Sequence, residues 1–106
     1  MNSQEFKEIL NERLKKIKST IKSKGQEYAT EDRLYNFKRA AKILETSPEE
    51  ALAGMFVKHL VSVLDLIEGT LTPTKHLINE KIGDTINYLI LLEAMLLEKF
   101  TDEEPF

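Results

Sequence analysis

Residues 46–74, TSPEEALAGMFVKHLVSVLDLIEGTLTPT, decide the fold. The stretch opens with a helix start signal. Ser47 is a competent N-cap, and Pro48 sits at the first helical position, where its missing N–H is harmless. Glu50 stands at the third helical position to close a capping box. The helix it opens is expected to run to about Glu68. Gly69 then allows a left-handed stop, and TLTPT makes a short turn in which Thr72 caps and Pro73 begins a last helix reaching about Phe100. So short a connection makes the two helices antiparallel neighbours.

The pattern continues upstream. Phe6, Leu10, Leu14, Ile17 and Ile21 step by three and four residues, one stripe on an amphipathic helix that starts after Ser3 and stops near Lys22–Lys24, with Gly25 as its end. A second helix is expected from Thr30 as its cap, with Glu31 and Asp32 in its first turn and Leu34, Phe37, Ala41 and Leu44 as its buried stripe. No repeat or low-complexity run is present. Four helices with short loops predict an all-α, four-helix bundle-like single domain over residues 1–106, with the acidic tail at about 101–106 disordered. The last helix is apolar almost all round from Ile86 to Leu97, which a small bundle cannot cover on every side. A homo-oligomer is therefore expected.

Composition narrows the function. The 106 residues contain no cysteine, which excludes disulfides and thiolate metal sites and fits a reducing, cytoplasmic setting. The first twenty residues are charged throughout, unlike a signal peptide, and no apolar run reaches the roughly 20 residues of a membrane span. A net charge of −3 argues against general duplex-DNA binding. The basic run RLKKIKSTIKSK (13–24) still offers a local cationic end.

Within the apolar hairpin two polar lines stand out. Lys58, Ser62 and Asp65 share one face of the third helix at i, i+4 and i+7, and Glu80, Asp84 and Asn87 share one face of the fourth at the same spacing. Folding the hairpin about residues 70–71 sets Lys58 level with Asp84 and Ser62 level with Glu80. Charges in apolar surroundings are costly unless paired, metal-bound or used. One reading is a structural ion pair between Lys58 and Asp84, with Glu80 and Asp65 as a solvated edge. The other is an acidic pocket for Mg²⁺ or a polar ligand, with Lys58 or His59 on phosphate. The segment KGQEYATEDRLYNF (24–37) adds Lys24 and Arg33 as charge for phosphate, Tyr28 and Tyr35 as rings for a base, and Asn36 as an amide for a base edge. Alternatively Tyr28 and Phe37 belong to the core and the segment is a helix connector.

Three strings read together, KGQEYATEDRLYNFKRAA (24–41), EEALAGMFVKHLVSVLD (49–65) and NEKIGDTINYLILLEA (79–94), resemble small phage and prophage proteins. Those are similar to the nucleotide-modification-associated domain and, more distantly, to MazG-like all-α nucleoside triphosphate pyrophosphohydrolases. The resemblance implies a helical oligomer, in the host cytosol, that binds nucleotides at a bundle face. In the enzymes two acidic pairs on adjacent helices hold Mg²⁺ against the triphosphate, which suits a cation that demands hard oxygen ligands. Glu80 and Asp84 match the second pair. Where the first pair is expected, this chain has Lys58, His59, Ser62 and Asp65, and a lysine beside a metal lowers its affinity. Glu5 and Glu8 form an E-x-x-E, but on an exposed N-terminal face. A binder of a nucleotide or nucleotide-derived immune signal, of cyclic or ADP-ribose type, is thus favoured over a Mg²⁺-dependent hydrolase using Asp65, Glu80 and Asp84. A third reading is a protein-interaction inhibitor of a host factor.

Overall fold

A computed structural model describes residues 1–27 and 32–100, with side chains described for 1–23 and 32–100. It is helical throughout its ordered elements: α1 (Ser3–Glu27), α2 (Tyr35–Leu44), α3 (Pro48–Glu68) and α4 (Lys75–Glu98). The chain divides into two compact units, Met1–Glu31 and Asp32–Phe106.

The first unit contains α1. Its cap is Asn2 rather than Ser3, because the Asn2 Oδ1 accepts the Glu5 N–H at 2.8 Å. The helix runs through Gly25 instead of stopping there, since glycine is costly inside a helix but not forbidden. Phe6, Leu10 and Leu14 are exposed, and Ile17 and Ile21 are half-buried.

The second unit is built on α3. The Ser47 Oγ accepts the Glu50 N–H at 3.2 Å and donates to the Glu50 carboxylate at 3.1 Å, so the start signal operates as expected. The Thr46 hydroxyl donates to the same carboxylate at 2.6 Å and, with Ser47, holds it below the usual range. Gly69 closes α3 in the left-handed region at φ 82°. The start of α4 lies two residues beyond the expected one. Thr74, not Thr72, accepts the Leu77 N–H at 3.1 Å, which leaves Pro73 outside the helix. Helix α2 also begins late, at Tyr35, because the Asp32 carboxylate takes the Leu34 N–H at 2.9 Å and turns the chain first. The expected cap Thr30 lies outside the described residues, as does the tail 101–106.

Packing follows the apolar stripes. α3 packs against both α2 and α4. Leu34, Leu52 and Met95 form the buried centre, with Phe37, Phe56, Tyr88, Leu91 and Leu92 around it. Leu34, Phe37 and Ala41 take the inner face of α2 as their spacing requires. Leu44 does not: it is exposed, because the helix ends there and the backbone swings away. Lysine–carboxylate ion pairs tie the helix ends together. Lys99 meets Glu49 at 2.9 Å across the antiparallel hairpin, and Lys38 of α2 reaches Glu98 at 2.8 Å and Asp32 at 2.7 Å. Lys38 holds the Asp32 carboxyl below the usual range, and these carboxylates push the Lys38 ammonium up.

The residue that turns α2 toward α3 is Glu45, at φ 55° and ψ 48°. Its N–H and that of Thr46 return to the Lys42 and Ala41 carbonyls. A left-handed side-chain-bearing residue costs about 1–2 kcal/mol, of which glycine's extra freedom in the unfolded chain would take back some. Glu45→Gly is therefore expected to stabilise the protein by about 0.5–1 kcal/mol in chemical denaturation. An unchanged or lower midpoint would show that the Glu45 side chain contributes more than its backbone strain costs.

Candidate functional site

The α3–α4 seam sets the register of the two polar lines. His59, one residue beyond the expected position, faces α4. Its imidazole lies against the Tyr88 ring, with centroids 4.7 Å apart and planes 31° apart. Its Nδ1 is 3.7 Å from the Asp84 Oδ2. That distance is too long for a hydrogen bond, but it is a charge attraction whenever the ring is protonated. The expected Lys58–Asp84 pair is therefore replaced by His59–Asp84. Adjacent residues on a helix point about 100° apart, so a shift of one position turns Lys58 out to solvent, where it is exposed.

Tyr88 joins this site to the core. The same ring also meets Phe37 of α2, edge-to-face at 6.4 Å and 73°. The geometry is the one aromatic quadrupoles favour. The ring thus fixes His59 from below while itself held by α2. Sequence reasoning overlooked Tyr88, although its position four residues after Asp84 placed it on the same helix face.

Along α4, the Glu80 carboxylate takes His76 Nε2 at 3.1 Å and lies 3.4 Å from the Lys81 Nζ. Glu80 and Asp84 remain two-fifths exposed, at 42% and 41% of their side chains. One turn further, the Asn87 Oδ1 is buried with no hydrogen-bond partner. A buried amide oxygen without a donor costs about 1–3 kcal/mol. Across the seam Ser62 spends its hydroxyl on the Lys58 carbonyl at 3.4 Å, and Asp65 is half-buried on the last turns of α3.

The other candidates separate from this cluster. Tyr28 lies outside the described residues, as does the side chain of Lys24. Arg33, Tyr35 and Asn36 are exposed on the outer side of the α2 start, where the Tyr35 hydroxyl accepts from Arg39 at 3.2 Å. Among the described residues no three histidine or carboxylate groups converge to hold a metal, so Asp65 does not complete a Mg²⁺ site with Glu80 and Asp84. No described helix is long and apolar enough to cross a membrane. No protein-family model, curated protein or solved structure matches the chain.

Proposed function

We propose that this chain is a phage-type, homo-oligomeric nucleotide-binding protein, with its site on the polar flank of the α3–α4 hairpin. The observation that carries the reading is the His59–Tyr88–Asp84 constellation, with the unpartnered Asn87 oxygen one turn along. Its chemistry suits the parts of a nucleotide. The His59 ring, braced by Tyr88 and 26% exposed, offers an aromatic surface to a base. Asp84 and Glu80 accept from sugar hydroxyls, and the Asn87 oxygen accepts from an exocyclic amine or hydroxyl. Lys58, exposed on the same side of α3, meets phosphate as a point charge. Such a protein acts by retaining the ligand, either as a sink for a cyclic or ADP-ribose-type signal or as a carrier in nucleotide metabolism. Hydrolysis has less support, because the described carboxylates lack a third metal ligand.

A thermal-shift screen of nucleotides, dinucleotides and ADP-ribose, with and without Mg²⁺, tests this. A ligand at 1,000 times its dissociation constant stabilises the folded chain by about 4 kcal/mol, an upward shift of many degrees. The expected result is such a shift for at least one of these ligands, reduced in Asp84→Ala, and recovery of the ligand unaltered after heat denaturation. No shift with any of them would end the proposal. A cleaved product would replace the binder with an enzyme.

A further inference from the structure

The hairpin has a second flank, and it is of the opposite kind. Because α3 and α4 run antiparallel, moving the same way along the sequence round each helix from their shared contact leads to the same side of the layer. Applied from His59 on α3 and Tyr88 on α4, one direction leads to Ser62 and Asp65 and to Glu80 and Asn87. The other leads to Val57, Leu60 and Leu64 on α3 and to Ile78, Leu89 and Leu96 on α4. All six are exposed, by 37% to 53%. They belong to positions that helical periodicity would bury, on a side where α2 does not lie, since its contacts with Glu98 and Tyr88 are on the polar flank and seam.

We infer that this apolar flank of α3 and α4 is an isologous interface with a second copy of the chain. The inference rests on the reading of the protein as a homo-oligomer and adds the face and the symmetry. Two side-by-side helices of 21 and 24 residues present a strip about 30 Å long and about 20 Å wide. That is about 600 Å² per copy, at the top of the roughly 300–600 Å² of the largest patch on a typical monomer and close to the roughly 800 Å² that each partner contributes to a standard interface. Placing two such hairpins face to face gives each the apolar layer it lacks and makes a four-helix arrangement.

Charge complementarity selects a copy of the same chain and fixes the register. On the α4 side of the flank the charged positions are Lys75 and Glu93, and neither forms an ion pair among the described residues. They stand nine residues above and below Asp84. A two-fold axis crossing the layer at the level of Asp84 and His59 sets Lys75 of each copy level with Glu93 of the other, twice by symmetry. Glu93 is thereby accounted for: a carboxylate in the apolar run 86–97 that the ligand site does not use.

Light scattering across concentration tests the inference with surface variants that leave the protomer core intact. The protomer mass is 12.2 kDa, so the wild type is expected at twice that. Lys75→Glu is expected to weaken the dimer about tenfold, and adding Glu93→Lys to restore it. Leu60→Asp is expected to give a folded monomer, its helical signal retained in circular dichroism. Since the chain has no cysteine, Leu60→Cys in the dimer is expected to cross-link with a short bis-maleimide, and Ile43→Cys on α2 is not. A dimer indifferent to Leu60→Asp and to the charge reversal uses another face, which overturns this inference and leaves the homo-oligomer reading standing. A wild-type monomer at 100 micromolar overturns both. Neither outcome touches the nucleotide site on the opposite flank, which the thermal-shift screen tests alone.

Discussion

Leu52→Ala is expected to lower unfolding free energy by about 3–5 kcal/mol, the largest loss available from any single truncation in the second unit. Leu52 is fully buried, at 0% exposure, and stands where Leu34, at the cap of α2, and Met95 of α4 meet α3. Part of the cost is the transfer of its lost methyls back to water, about 1.5–3 kcal/mol for the whole side chain. The rest is the cavity, which three helices held together at the open end of the hairpin by Lys99–Glu49 and Lys38–Glu98 cannot readily close. Among the described residues the buried apolar ones are Leu34, Ala41, Ala51, Leu52 and Met95, a small set with little redundancy. Thermal unfolding followed by circular dichroism should show the midpoint falling by more than about 10 °C, or no cooperative transition at all. A fall of only a few degrees would mean that the three helices do not converge on this leucine.

Tyr88→Ala is the second large effect, and it links the core to the site. The ring is held edge-to-face by Phe37 and carries His59 on its own face. Removing it is expected to cost about 2–3 kcal/mol, below the range for a fully buried ring because Tyr88 is only half-buried. Tyr88→Leu keeps most of the apolar contact with Leu91, Leu92 and Phe37 but offers no ring to the imidazole. It is therefore expected to recover more than half of that stability while still losing the nucleotide-induced thermal shift. Should Tyr88→Leu bind as well as the wild type, the stacked histidine would have no part in the site.

Much of the helical framework is legible in the residues themselves. The Ser47–Pro48–Glu50 signal and the left-handed Gly69 act locally, so short-range chemistry suffices to place both ends of α3. The T-P-T segment is ambiguous on the same chemistry, because either threonine beside Pro73 is a competent cap. The choice of Thr74 depends on how the turn meets α3. At α2 the Asp32 side chain competes with the helix by making its own turn, which a propensity argument does not weigh. The site was half legible. The i, i+4, i+7 lines at Glu80, Asp84 and Asn87 share one face as spacing demands. Which α3 residue they meet depends on a register of one residue, and a loop's length does not determine that. Hence Lys58 was expected where His59 stands, and the aromatic brace from Tyr88 went unseen. That the free apolar surface extends over α3 as well as α4 is a property of packing: the α3 stripe at Val57, Leu60 and Leu64 has the same composition as a core stripe until it is known which side α2 covers.

The central claim is that a nucleotide enters on the polar flank of the hairpin, beside the stacked histidine. Amide and side-chain chemical-shift mapping, with ADP-ribose and the other nucleotides titrated into the isotopically labelled full chain, tests it most directly. Saturable shifts confined to His59, Glu80, Asp84, Asn87 and Tyr88, with the flank of Leu60 and Leu89 unmoved, are the predicted result. Saturable binding that leaves those five residues unperturbed, or no binding by any of these ligands, would contradict it.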